Sequence, residues 1–161
     1  MTTAIAINDT LDLVLEREVD VPVEKVWAAW TEPKHLVHWF APRPWTVKEC
    51  ELDLRPGGMF KVVMQSPEGD AMDGEPGCYL EVEMHRKLVW TDALLPGYRP
   101  ASNPFFTAIL LFEPTASGGT RYRAIAVHRD PEGKKQHEEM GFHEGWGTVA
   151  DQMVEYVKAN L

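Results

Sequence analysis

Between Pro131 and Asn160 the apolar residues fall into a helical period that persists to the end of the sequence. Met140, Phe142, Trp146, Val149, Met153, Tyr156 and Val157 recur three or four residues apart, the spacing that gathers side chains on one helix face. A helix of about 25 residues is long for an ordinary domain, and its apolar face has to be covered. What precedes it is a series of short strands. Only a curved sheet can supply a matching surface from six or seven strands of that length, and a curved sheet leaves space between itself and the helix.

The strands are read from alternation and from the turns between them. Leu11, Leu13, Leu15 and Val19 share one face of a first strand, which Asp20-Val21-Pro22 stops. Pro22 suits the first turn of a helix and Asp20 is its expected cap. Val23, Val26, Trp27 and Trp30 follow at helical spacing, and after Pro33 a second short helix is expected to bury Leu36, Trp39 and Phe40. Further strands are expected at 46–54, 59–65, 78–84, 87–94, 105–113 and 120–128, separated by Gly- and Pro-rich turns such as Arg55-Pro56-Gly57-Gly58 and Ser117-Gly118-Gly119. In the strand at 78–84, Leu80, Val82 and Met84 are expected to share a face. That makes a curved seven-stranded antiparallel sheet in an α+β fold, with two short helices after strand 1. Residues 1–10 are expected to be flexible, and 11–161 to form a single domain.

Six Trp in a chain of 161 residues is a heavy aromatic load, which has to line a thick core or a cavity. Sixteen Lys and Arg against 25 Asp and Glu give a net charge of −9. So acidic a surface repels phosphate backbones, which argues against nucleic acid as a partner. No apolar run approaches the ~20 residues that span a bilayer, and MTTAIAINDT lacks the pattern of a secretory signal; no membrane partner and a cytoplasmic location are expected. Cys50 and Cys78 lack CxxC spacing and are expected as reduced thiols.

Seven segments in register carry a family resemblance. They are Arg17–Thr31 (REVDVPVEKVWAAWT), Pro33–Pro42 (PKHLVHWFAP), Asp53–Gly58 (DLRPGG), Gly77–Val82 (GCYLEV), Lys87–Thr91 (KLVWT), Gly119–Arg121 (GTR) and His143–Trp146 (HEGW). Together they resemble the AHSA family, activator-of-heat-shock-ATPase homologues within the START-like, SRPBCC superfamily, over about residues 11–160. The resemblance implies the helix-grip fold, in agreement with the element order. The superfamily includes lipid carriers, hormone and allergen proteins, polyketide cyclases and chaperone co-factors, which share a cavity and little chemistry.

Chemistry is sparse. His137-Glu138-Glu139-Met140-Gly141 opens like a zinc-protease helix but lacks the second histidine, and His143 lies roughly 240° around a helix from His137; no metal and no cofactor are expected. Neither cysteine has a histidine nearby in sequence, and no serine sits in a nucleophile elbow. His128 ends the last strand on the face of Tyr122, Ala124 and Ala126. It is the weak catalytic candidate, with a rim histidine satisfied by backbone or water as the alternative. Asp92 shares a face with Trp90, and Glu81 is solvated or a polar group of the pocket. Trp39, Phe60, Met64, Trp90, Phe112, Phe142, Trp146 and Met153 are expected to point inward and, with His128, to form a ligand site; packing as plain core is the competing reading. The expected function is binding of a small hydrophobic or aromatic molecule between sheet and C-terminal helix. A cyclase, dehydratase or hydrolase using His128 is one alternative. A chaperone-accessory or protein-interaction module, including a homodimer, is another, because the segment Phe105–Phe112 is apolar on both faces.

Overall fold

In the computed structural model, which describes residues 5–161, the first alternating run becomes β1 (Asp12–Val19). The expectation of flexibility over 1–10 falls, for residues 1–4, outside the described residues; Asn8 accepts backbone hydrogen bonds from Leu11 and Asp12 in a turn just before β1. Helix α1 (Val23–Thr31) buries Val23, Val26, Trp27 and Trp30 as its spacing requires. Asp20 does not cap it. Pro22 holds the cap position without a side-chain bond, and the Asp20 carboxylate is drawn away to Lys158 near the chain end, at 2.7 Å. Helix α2 (Pro33–Leu36) is a single turn. Trp39 lies beyond its end but is still buried, its indole N–H donating to the Ala29 carbonyl.

The remaining strands are β2 (Thr46–Leu52), β3 (Met59–Gln65), β4 (Ala71–Met72), β5 (Gly77–Glu83), β6 (Lys87–Thr91), β7 (Leu94–Leu95), β8 (Arg99–Pro100), β9 (Thr107–Pro114) and β10 (Thr120–Val127). Seven form one antiparallel sheet in the order β1-β10-β9-β6-β5-β3-β2; they correspond to the seven expected from the sequence. The two-residue β4 adds to β3, and β7 and β8 make a small separate ribbon. Sheet and helices enclose one core, with Leu13, Leu15, Leu88, Leu110, Ala124 and Ala126 lining its floor.

Two register shifts bend the sheet, between Val47 and Glu49 on β2 and between Tyr79 and Glu81 on β5. An extra residue in one strand increases local twist and inverts the side-chain alternation beyond it. Leu80 is that residue on β5. Tyr79 therefore pairs with Trp90 while Val82 pairs with Leu88, and all four belong to the inner face. The expected face Leu80–Val82–Met84 does not exist as one face, and Met84 is exposed. Glu81 turns outward onto Lys87 at 2.8 Å.

The C-terminal period is not one rod. It divides into α3 (Pro131–Glu139) and α4 (Phe142–Asn160), and Met140 between them is exposed rather than inward. Gly141 makes the break: its φ of 91° lies in the left-handed region, open to glycine but strained for residues with a Cβ. Gly141→Ala is expected to lower stability by about 1–2 kcal/mol, read from urea midpoints; an unchanged midpoint would mean that the break is held elsewhere. Helix α4 runs against β1 and α1. Phe142, Val149, Met153 and Val157 on it are buried, and Lys158 holds its end to Asp20. Cys50 is half-buried and Cys78 buried, both free.

Candidate functional site

The inner face is densest in aromatic rings around Phe60, Tyr79 and Trp90 on β3, β5 and β6, continuing to the start of α4. Phe60 stacks on Trp90 with centroids 4.1 Å apart and planes 11° apart, and meets Tyr79 edge-on at 5.6 Å. Trp90 then meets Phe106 at 5.6 Å, and Phe106 meets Trp146 at 6.1 Å. Trp146 tilts against Phe142 at 5.4 Å. Four of the expected site residues, Phe60, Trp90, Phe142 and Trp146, thus form a continuous aromatic chain through Phe106, which the sequence reading did not single out.

Of the others, Trp39 reaches the chain only through Phe40, which meets Phe60 edge-on at 6.2 Å. Trp39 packs with Trp30 and Phe40, and Phe112 with Trp27 and Tyr122; these are sealed core positions. Met153 is fully buried. Met64 is half-buried on β3, opposite Val47 and Met72. The inner residues of β2 and β3 (Cys50, Leu52, Val62 and Met64) are all only partly covered.

Two polar atoms in this wall have no partner among the described residues. The Tyr79 hydroxyl and the Trp90 indole N–H are both buried and unbonded. A buried donor without an acceptor costs about 1–3 kcal/mol, so native proteins carry few of them. Burial, reinforced by the Cys50 thiol and the Asp53 carboxylate, pushes the Tyr79 phenol well above its ordinary range and keeps it protonated. Burial also pushes the Cys50 thiol up to about 11, which leaves it a thiol rather than a nucleophilic thiolate near neutral pH.

His128 is buried, and both its ring nitrogens are engaged. Nδ1 lies 2.8 Å from the Leu11 carbonyl and Nε2 lies 2.8 Å from Nδ1 of His137. A carbonyl only accepts, so Nδ1 of His128 carries the proton. In the neutral pair Nε2 of His128 then accepts from Nδ1–H of His137. His128 is thus bonded to backbone on one side and to a second imidazole on the other. Burial first, and the charge of His128 second, hold the His137 pKa down at about 4. His137 packs among Phe105, Phe106 and Phe142. The sequence offered no sign of this pair, since the two residues come from different elements and share no motif.

Asp92 extends the wall toward solvent. Its Oδ1 accepts from the backbone N–H groups of Phe105 and Phe106 at 2.8 and 3.1 Å. Burial raises its pKa nonetheless, the two N–H groups pulling the other way. Among the described residues no group of three or more His, Cys, Asp or Glu is placed to hold a metal ion. Among the described residues no helix is long and apolar enough to cross a membrane.

The family described as Activator of Hsp90 ATPase homolog 1-like protein matches residues 20–158. The chain belongs to this family. A crystal structure of a Nitrosomonas europaea protein is 51% identical, covers 95% of this chain and 97% of its own, and superposes with a TM-score of 0.91. A Mycobacterium smegmatis protein is 26% identical, with 99% of both chains covered and a TM-score of 0.76. No curated protein matches. Membership in the Activator of Hsp90 ATPase homolog 1-like family accounts for the curled sheet and long terminal helix.

Proposed function

We propose that this family member binds a small hydrophobic or aromatic molecule between the sheet and α4, against Phe60, Tyr79 and Trp90. The observation that carries the reading is the pair of buried, unpartnered polar atoms, the Tyr79 hydroxyl and the Trp90 N–H, set in an otherwise apolar wall. A ligand oxygen that reaches either atom can accept from it, which turns that cost into orientation. The half-buried Val62 and Met64 on β3 and Cys50 and Leu52 on β2 supply apolar contact beside it. Burying about 300 Å² of apolar ligand surface contributes a gross ~7 kcal/mol. Association costs reduce that to about micromolar affinity.

The test combines binding with stability. Titration calorimetry with 4-ethylphenol and 2-naphthol is expected to give micromolar binding. Tyr79→Phe is expected to weaken 4-ethylphenol about tenfold. The same substitution is expected to stabilise the free protein by about 1–2 kcal/mol, because no hydroxyl is then left buried without a partner. If neither probe binds and Tyr79→Phe destabilises the free protein, the reading is wrong.

A further inference from the structure

Strand β3 pairs with β5 only through Met59–Cys78 and Phe60–Gly77. The next residue back along the chain from Gly77 is Pro76, which has no N–H to continue the ladder. Beyond Phe60 the next strand pairing on this edge of β3 is with β4, at Met64–Met72. Between these pairings the sheet is notched. The notch holds about 180 Å³ and is lined by Phe60, Lys61, Val62, Met72, Trp90 and Asp92 among others, the Lys61 ammonium being held by Glu49 at 3.0 Å. It adjoins a larger cleft of about 680 Å³ that runs under the start of α3, and the two share Met72, Gly74, Glu75 and Asp92. Four carboxylates line the larger cleft, those of Glu75, Asp92, Asp130 and Glu132, against the single cation Arg129.

Four of these five charges have structural work, Asp92 through its Oδ1 alone. Glu75 accepts from the backbone N–H and the hydroxyl of Ser102, which ties the two rim loops together. Asp130 caps α3 at Gly133 N and lies 3.5 Å from Arg129. Asp92 differs: it is half-buried at the junction of notch and cleft, and its Oδ2 accepts nothing from the described residues. A half-buried carboxylate with a free oxygen favours a cation, since burial has removed much of its water. The second sign of a ligand is Trp90, 6% exposed, with its unpartnered N–H in the indole that lines the notch.

We propose that this notch is the mouth of the binding site and selects an aromatic amine, its ring and oxygen against Trp90 and its ammonium group on Asp92 Oδ2. The proposal rests on the ligand-binding reading above and adds the charge and the route. An apolar cavity of roughly 150 Å³ takes up benzene, so the notch takes one aromatic ring, and the larger cleft receives the charged arm. An anion of the same shape meets four carboxylates and is rejected.

Three probes that share a hydroxyphenyl ring decide it: tyramine (cation), 4-ethylphenol (neutral) and 4-hydroxyphenylacetate (anion), titrated calorimetrically into the intact protein at pH 7. Tyramine is expected to bind about tenfold tighter than 4-ethylphenol, and the acetate more weakly than either. Asp92→Asn, which keeps an oxygen for the Phe105 and Phe106 N–H groups, is expected to abolish the tyramine advantage over 4-ethylphenol. If 4-ethylphenol binds and tyramine binds no tighter, the charge selection is overturned and the apolar site stands. If none of the three binds, the site itself is refuted, and this proposal with it. The probe series on the unmodified protein decides the matter even if the variant does not fold.

Discussion

Acidification from pH 7 to 4.5 is expected to cost the folded chain about 2–3 kcal/mol through His137 alone. An unfolded histidine takes up its proton near 6.5, whereas His137 in the fold does so only near 4. Between those values the unfolded state binds more protons than the native one. Stability is therefore complete above about pH 6.5 and falls as pH drops through the window. The carboxylates held low, Asp20 and Glu75, act below this range because their pKa values lie under the ordinary carboxylate values. Urea unfolding at pH 7, 5.5 and 4.5 measures the slope. His137→Leu should flatten it while costing about 1–3 kcal/mol at pH 7, since Nε2 of His128 loses its partner. A wild-type protein that keeps its full pH 7 stability at pH 4.5 would refute this account of the pair.

Gly58→Ala is expected to be the most damaging single-methyl change, at least about 3 kcal/mol. A Cβ at Gly58 would lie 2.0 Å from the Asp53 carbonyl oxygen and 2.9 Å from that of Arg55. Both are backbone atoms, so no side chain can swing aside. The same turn holds the ligand wall: Gly57 N donates to the Tyr79 carbonyl, and Tyr79 N donates to the Gly58 carbonyl. The variant should therefore lose apolar-probe binding as well as thermal stability, measured by calorimetric melting and titration together. Retention of both within about 1 kcal/mol would show that the turn can open without moving β5.

Much of the architecture was legible because it rests on local chemistry. The Val23–Trp30 spacing made α1, the Arg55–Gly58 turn closed β2 onto β3, and Ser117–Gly119 turned β9 into β10. The candidate site was legible in part. Phe60 and Trp90 keep the alternation that starts at their own strand ends, so their inward direction could be read. Tyr79 could not, because the extra residue at Leu80 inverts the parity of β5, and nothing in GCYLEVE marks where the insertion falls. Met140 failed for the opposite reason: a helical period continues across Gly141 in sequence, although the backbone there turns through the left-handed region.

The amino-acid sequence by itself therefore determined the order of elements, the seven strands and the long apolar face that they must cover, since periodicity and turn residues act over a few neighbours. Only the tertiary structure decided that His128 meets His137, that Tyr79 and Trp90 bury polar atoms without partners, and that Pro76 opens a notch beside Asp92. Those outcomes depend on which strands lie side by side and on a one-residue shift in their register. Both are set by the summed packing of the whole sheet against α1 and α4, which no local stretch of sequence contains.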